Sequence, residues 1–187
     1  MGKNILNWSL PSVLTCPGAG ECLHFCYSKK ASIQYPNARN SRLRNYHFTK
    51  DESFVSTLSE YLNKRSEPIV RVHTDGDFYS QEYLNKWIEI AKASPNKRFY
   101  GYTKSFKLDF SALPSNMKVI QSYGSTYDDL IDSSKNTARV INDISELGIN
   151  EYLCPYVFKE KDEDFKCSES CSYCIDNAIV HVAFIKH

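Results

Sequence analysis

A chain of 187 residues is long enough for one domain with a sizeable core and short for two. Its 42% hydrophobic and 24% charged residues are ordinary for a globular protein, and a formal net charge of +1 gives no global field to select a nucleic acid, a membrane or an acidic partner. No apolar stretch approaches the ~20 residues of a membrane span, and Met1-Gly2-Lys3-Asn4 leads into polar sequence without a signal-peptide core, so a cytoplasmic protein with no membrane partner is expected.

In chain order, Leu10 to Thr15 reads as a first strand ending at Cys16. Lys29 to Lys50 carries Lys29, Lys30, Arg39, Arg42, Arg44 and Lys50 without an acidic residue, among Tyr35, Tyr46 and His47; this is either a solvated helix face or a phosphate-reading one. Phe54, Leu58, Tyr61 and Leu62 share one helical face. Ile69 to His73 is a β-branched strand, and Ser80 is placed to cap a helix striped by Leu84, Trp87, Ile88 and Ala91. Arg98 to Thr103 and Lys118 to Ser122 are further strands. Val140, Ile141, Ile144 and Leu147 suggest a third helical stripe closed by Gly148. Tyr152 to Phe158, broken at Pro155, and Ala178 to Ile185 complete about six strands. Strand–helix alternation predicts parallel strands with right-handed crossovers. The expected fold is therefore α/β over residues 1–187: a small or partial (βα) barrel, TIM-barrel-like, with a cysteine-rich C-terminal excursion, or an open doubly wound sheet. Either gathers its chemistry at the C-terminal ends of the strands.

Seven cysteines are the unusual feature. An odd, clustered set in a chain expected to stay in a reducing compartment argues against a disulfide framework and for a metal. Cys16, Cys22 and Cys26 form a C-x5-C-x3-C loop in which Pro17, Gly18 and Gly20 permit sharp turns. Three thiolates hold three irons of a [4Fe–4S] cluster and leave the fourth open. Cys154, Cys167, Cys171 and Cys174 supply four more, enough to saturate a second cluster or to bind one tetrahedral zinc. One cluster drawing on both sets is the third arrangement. His24, between two of these cysteines, is either a ligand or a loop residue packed nearby.

His73, Asp75 and Asp77 alternate along an extended chain, and a turn after the strand would expose them at the sheet mouth as proton-handling, amine-holding or metal-binding groups. Alternatively Asp77 and Ser80 only organise the start of the next helix.

The stretches Leu10-Pro-Ser-Val-Leu-Thr-Cys16-Pro-Gly-Ala, Cys26-Tyr27, Val72-His73-Thr-Asp-Gly-Asp77-Phe78-Tyr79-Ser80, Tyr100-Gly-Tyr102-Thr103-Lys104-Ser105 and the cysteine-rich tail together resemble the mostly phage-borne gene product 88 family of small proteins. That resemblance implies a phage-encoded protein working in the host-cell cytoplasm. More distantly, the three-cysteine loop, Phe25 before Cys26, and Asp75-Gly76-Asp77-Phe78 after a strand are similar to the radical S-adenosylmethionine enzymes. Their usual C-x3-C-x2-C spacing is met literally at Cys167, Cys171 and Cys174 instead. This likeness implies S-adenosylmethionine at an open iron, with Phe25, Gly76 and Lys104 as cofactor contacts. Three functions are then expected as alternatives: an enzyme of this type acting on a nucleotide, nucleic acid or peptide; a non-catalytic iron–sulfur redox or host-interaction protein; or a zinc-stapled binding module.

Overall fold

The computed structural model describes residues 2–158 and 165–186. Seven strands, β1 (Ile5–Trp8), β2 (Ile69–Val72), β3 (Arg98–Thr103), β4 (Met117–Ser122), β5 (Thr137–Ile141), β6 (Tyr152–Leu153) and β7 (His181–Ile185), form one sheet. Every ladder is parallel, and the order is β1-β2-β3-β4-β5-β7-β6. The sheet is open, with β1 and β6 as its edges, so the TIM-barrel-like closure expected from the sequence is replaced by an open parallel sheet, the other arrangement the strand–helix alternation allows.

Alternation along the strands sorts the two faces. Leu6, Trp8, Val70, Val72 and Phe99 pack against α3 (Phe54–Lys64) and α4 (Gln81–Ala93). Phe54, Leu58 and Leu62 supply α3's buried stripe; Leu84, Trp87, Ile88 and Ala91 supply that of α4, and each fully buried large side chain contributes about 1.5–3 kcal/mol. Ser80 caps α4 by accepting from Tyr83 N at 3.2 Å, as its sequence position suggests.

The opposite face carries Ile5, Ile69 and Tyr100, with Ile120, Ala138 and Val182 further along. The cysteine-rich tail covers it. Cys167, Cys174 and Ile175 pack on this face, and Lys118 Nζ donates to the Ile175 carbonyl at 3.0 Å. Gly2 N donates to the Cys167 carbonyl (3.1 Å) and Lys3 N to Glu169 Oε1 (2.6 Å), which ties the tail to the start of β1.

Two expectations need correction. The first strand lies at Ile5–Trp8, not at Leu10 to Thr15, where Pro11 cannot donate to a ladder, Val13 adopts φ 71° and Thr15 Oγ1 turns back to the Pro11 carbonyl. The stripe starting at Val140 is not a helix. Thr137, Val140 and Ile141 are β-branched and pair with β7 from Thr137↔His181 to Ile141↔Ile185, and only a 3-10 turn, Ile144–Glu146, follows.

Candidate metal-binding site

The loop after β1 is laced to three other strand ends. Thr74 N donates to the Trp8 carbonyl, Leu10 N to that of Asp75 and Asp77 N to that of Thr15, at 2.9, 2.8 and 3.1 Å. Gly76 sits between them at φ 83°, where a Cβ would lie 2.6 Å from Leu10 Cβ; only glycine fits. Gly18 lies flat on the end of β3: a Cβ there would meet the Lys104 carbonyl oxygen at 1.8 Å. Ser125 Oγ, after β4, donates to the Gly18 and Lys104 carbonyls at 2.7 and 3.0 Å. Four loops at the C-terminal edge thus converge on Cys16, Cys22 and Cys26.

All seven cysteines are half-buried free thiols. Burial pushes the Cys16 thiol up to about 12, and Asp77, Cys22 and Cys26 add to the push. Burial also raises Cys22, against the pull of the Lys104 ammonium. Lys104 itself is lowered by burial, opposed by Cys22, Asp77 and Asp128, and it donates to Ser122 Oγ. Cys26 opens α1 (Tyr27–Gln34) at its N-terminal flank. The Phe25 ring lies 5.0 Å from Lys186 Nζ, and His24 is exposed in the 3-10 turn Glu21–His24.

The three residues expected to share the mouth go separate ways, because β2 ends at Val72 and the chain stops alternating. Asp77 is buried and fully engaged, accepting from Phe78 N (2.7 Å), Lys104 N (2.7 Å) and Thr103 Oγ1 (2.6 Å). Asp75 pairs with Arg42 at 2.7 Å, with Oδ1 left without a hydrogen bond among the described residues. His73 enters the aromatic layer beside Phe78, Tyr83 and Trp87. Trp8 Nε1 donates to Tyr83 Oη (3.0 Å), and that hydroxyl is hydrogen-bonded to His73 Nε2 (2.9 Å). Burial lowers His73 to about 3, so it stays neutral.

The second set lies on the tail-covered face. Cys154 follows β6, its N–H donating to the Ala183 carbonyl at 2.9 Å. Cys167 and Cys171 close a tight turn through Ser168 N to the Cys171 carbonyl (2.8 Å). Tyr152 Oη stands 3.6 Å from Cys171 Sγ, and its ring stacks on Tyr173 at 4.0 Å. Burial raises Cys154 to about 11; Cys174 is also raised by burial, while the Tyr102 hydroxyl and Arg71 ease its ionisation. Arg71 lies over the Tyr102 and Tyr100 rings at 5.4 and 6.0 Å.

Among the described residues no three His, Cys, Asp or Glu side chains are arranged to hold a single metal ion. Zinc would need four sulfurs at about 2.3 Å from one point. A four-iron cluster would be held by thiolates, and a central cationic group would have to offset the burial that keeps Cys16 and Cys22 neutral.

The family described as Gene product 88 matches residues 2–183. The chain belongs to that family. Among curated relatives, this Gene product 88 member is 29% identical over 131 residues to the Gene 88 protein of Mycobacterium phage L5 and 26% identical over 131 residues to that of Mycobacterium phage D29. Each match covers 56% of this chain and 55% of the relative, so the chain spans about half the length of the curated relatives it matches. No solved structure matches. No helix among the described residues is long and apolar enough to cross a membrane.

Sequence reasoning passed over Arg71, Tyr100, Tyr102 and Ser125. The signal for Arg71 was present: a cation inside the apolar strand Ile69-Val70-Arg71-Val72 must face something other than the helix-packed core.

Proposed function

We propose that this protein binds a [4Fe–4S] cluster through Cys16, Cys22 and Cys26, in the cytoplasm of a phage-infected host. One observation supports the reading: four strand-end loops meet at the C-terminal edge of a parallel sheet on the segment that bears Cys16, Cys22 and Cys26, and all three are half-buried free thiols. Three thiolates leave one iron open to a small molecule, for which S-adenosylmethionine, binding through its amino and carboxylate groups, is the fitting candidate. Lys104, beside Cys22, is the cation placed to accompany a carboxylate there. Asp75 and Asp77, engaged by Arg42 and by Thr103 and Lys104, position loops in this reading and do not move protons.

The tail cysteines support a second reading for their own set. Cys154 and Cys174 pack against the same core residues from opposite ends of the tail, which suits a structural staple filled by a second cluster or by zinc.

Anaerobic purification from iron-replete cells tests both. About four irons and four sulfides per chain, with broad absorption near ~400 nm that bleaches on reduction, are expected for one cluster. Stoichiometric zinc with no iron sinks the main reading. A change in the electron paramagnetic resonance signal of reduced protein on adding S-adenosylmethionine identifies the open iron.

A further inference from the structure

The thiols leave α1 and α2 (Pro36–Phe48) unexplained. From Cys22 to Lys50 the chain has no acidic residue and six Lys or Arg. The run breaks at Tyr35–Pro36 into two helices, and α2 has no buried residue in its 13 positions; only Tyr46 and Phe48, at its C-terminal end, reach the core. Polar contacts hold the pair in place instead: Arg42 on Asp75 at 2.7 Å and on Ser32 Oγ at 2.8 Å, and Asn45 Nδ2 donating to the Ser9 carbonyl at 3.0 Å. With Arg42 engaged, the other five cations, Lys29, Lys30, Arg39, Arg44 and Lys50, are all exposed. Among them Ile33 and Tyr35 stand 76% and 56% exposed, more than packing would leave them.

We propose that this helical pair is a binding surface for single-stranded nucleic acid. Five like charges on one short segment, with no interleaved carboxylate, repel one another, and a polyphosphate backbone relieves that repulsion while releasing its own counterions. The exposed Tyr35 ring selects single strands, whose unpaired bases present faces for stacking that a duplex keeps covered. An in-plane membrane helix needs a wide apolar stripe opposite its cations, and α2 has none. The surface borders the mouth of the sheet: α1 begins directly after Cys26, and Tyr27 Oη donates to the Thr74 carbonyl at 2.6 Å. A strand lying along the helices passes the first thiol set. The inference stands without the cluster, since it rests on cations and rings alone.

Fluorescence anisotropy on the full chain tests it, with a labelled 15-nucleotide single strand, the matching duplex, and vesicles containing phosphatidylserine as probes. The single strand should bind at least tenfold more tightly than the duplex or the vesicles. With five phosphates neutralised, its affinity should fall with salt at a log–log slope of about −3.5. The variant K29Q/K30Q/R39Q/R44Q should flatten the slope to about −0.7, and Tyr35→Ala should weaken binding about tenfold without changing it. Circular dichroism checks that both variants fold; should the quadruple variant fail, the wild-type slope and Tyr35→Ala decide. Protein stripped of iron should bind the strand as well as the loaded form, which separates this result from the cluster test. Absence of saturable single-strand binding at 50 mM salt, equal or tighter binding of duplex or vesicles, or a folded quadruple variant that binds like wild type overturns the proposal.

Discussion

The two thiol sets of this protein share half-burial but differ in what surrounds them. Cys16, Cys22 and Cys26 ride on a loop fixed by backbone hydrogen bonds and by the bare Cα of Gly18 and Gly76, at an edge that also carries Lys104 and Asp77. Cys154, Cys167, Cys171 and Cys174 also have backbone ties, Cys154 N to the Ala183 carbonyl and Ser168 N to that of Cys171, but tyrosine hydroxyls stand beside two of them, Tyr152 by Cys171 and Tyr102 by Cys174. Backbone lacing gives precise placement beside an open mouth, which suits a site that must meet a ligand. The Tyr102 hydroxyl and Arg71 beside Cys174 change how readily its thiol ionises rather than how deeply it is buried. The contrast teaches that seven similar cysteines in one chain can sit in two different electrostatic settings, one beside Lys104 and Asp77 and one beside tyrosine hydroxyls and Arg71.

The sharpest way to break the comparison is Gly18→Ala. A methyl 1.8 Å from a backbone carbonyl cannot be accommodated, so the loop must lift off β3 at a cost of about 4 kcal/mol or more, read as a shift in the urea midpoint. Iron belonging to the first set should go with it, while metal held by the tail stays; loss of both would merge the two sets into one site.

His73 is the next test, because it lies in the aromatic layer beside Phe78 and Tyr83, apart from Asp75 and Asp77. Its folded pKa of about 3 lies below the unfolded value near ~6.5, so the unfolded chain binds more protons between those limits and stability falls as pH drops through that window. The slope from this residue is about 1.4 kcal/mol per pH unit. His73→Phe should flatten the acid limb of a stability–pH curve and leave the iron content unchanged. A drop in iron would return His73 to the site.

Smaller effects separate the sets by reactivity. In metal-free protein the Cys16 thiol, pushed up to about 12, should alkylate roughly a thousandfold more slowly at pH 8 than an ordinary cysteine near ~8.5, and tenfold faster with each added pH unit. Mass spectrometry of iodoacetamide-treated protein reads this directly, and rapid labelling at pH 7 would refute the burial argument. Tyr102→Phe removes the hydroxyl that eases Cys174 ionisation and should slow its alkylation a few-fold while leaving Cys16 untouched.

The sequence showed β2, β3 and β4, the α3 and α4 stripes, the Ser80 cap and parallel connectivity, because local apolar pattern and tertiary burial agree at those places. It misplaced β1 because Leu10 is apolar for a different reason: it plugs the space beneath Gly76, whereas Ile5–Trp8 is only four residues long and contains the exposed polar Asn7. It missed β5 because Val140, Ile141, Ile144 and Leu147 satisfy a helical period as well as a strand followed by a turn, and only pairing with β7 decides between them. The convergence of Cys16, Cys22 and Cys26 on strand ends was legible from chain order. The separation of His73 from the aspartates was not, since it depends on where β2 stops.

The order β5-β7-β6 carries a consequence for synthesis. β7 is translated after both neighbours yet lies between them, so β5 and β6 have no shared partner until it arrives. The strand-end partners that hydrogen-bond the loop around Cys16 lie at or before Thr126, whereas Cys154 meets Ala183 only on the final strand. The last strand is thus the one on which the far side of the sheet depends, and a chain cut short before His181 would leave β5 and β6 without the neighbour that joins them.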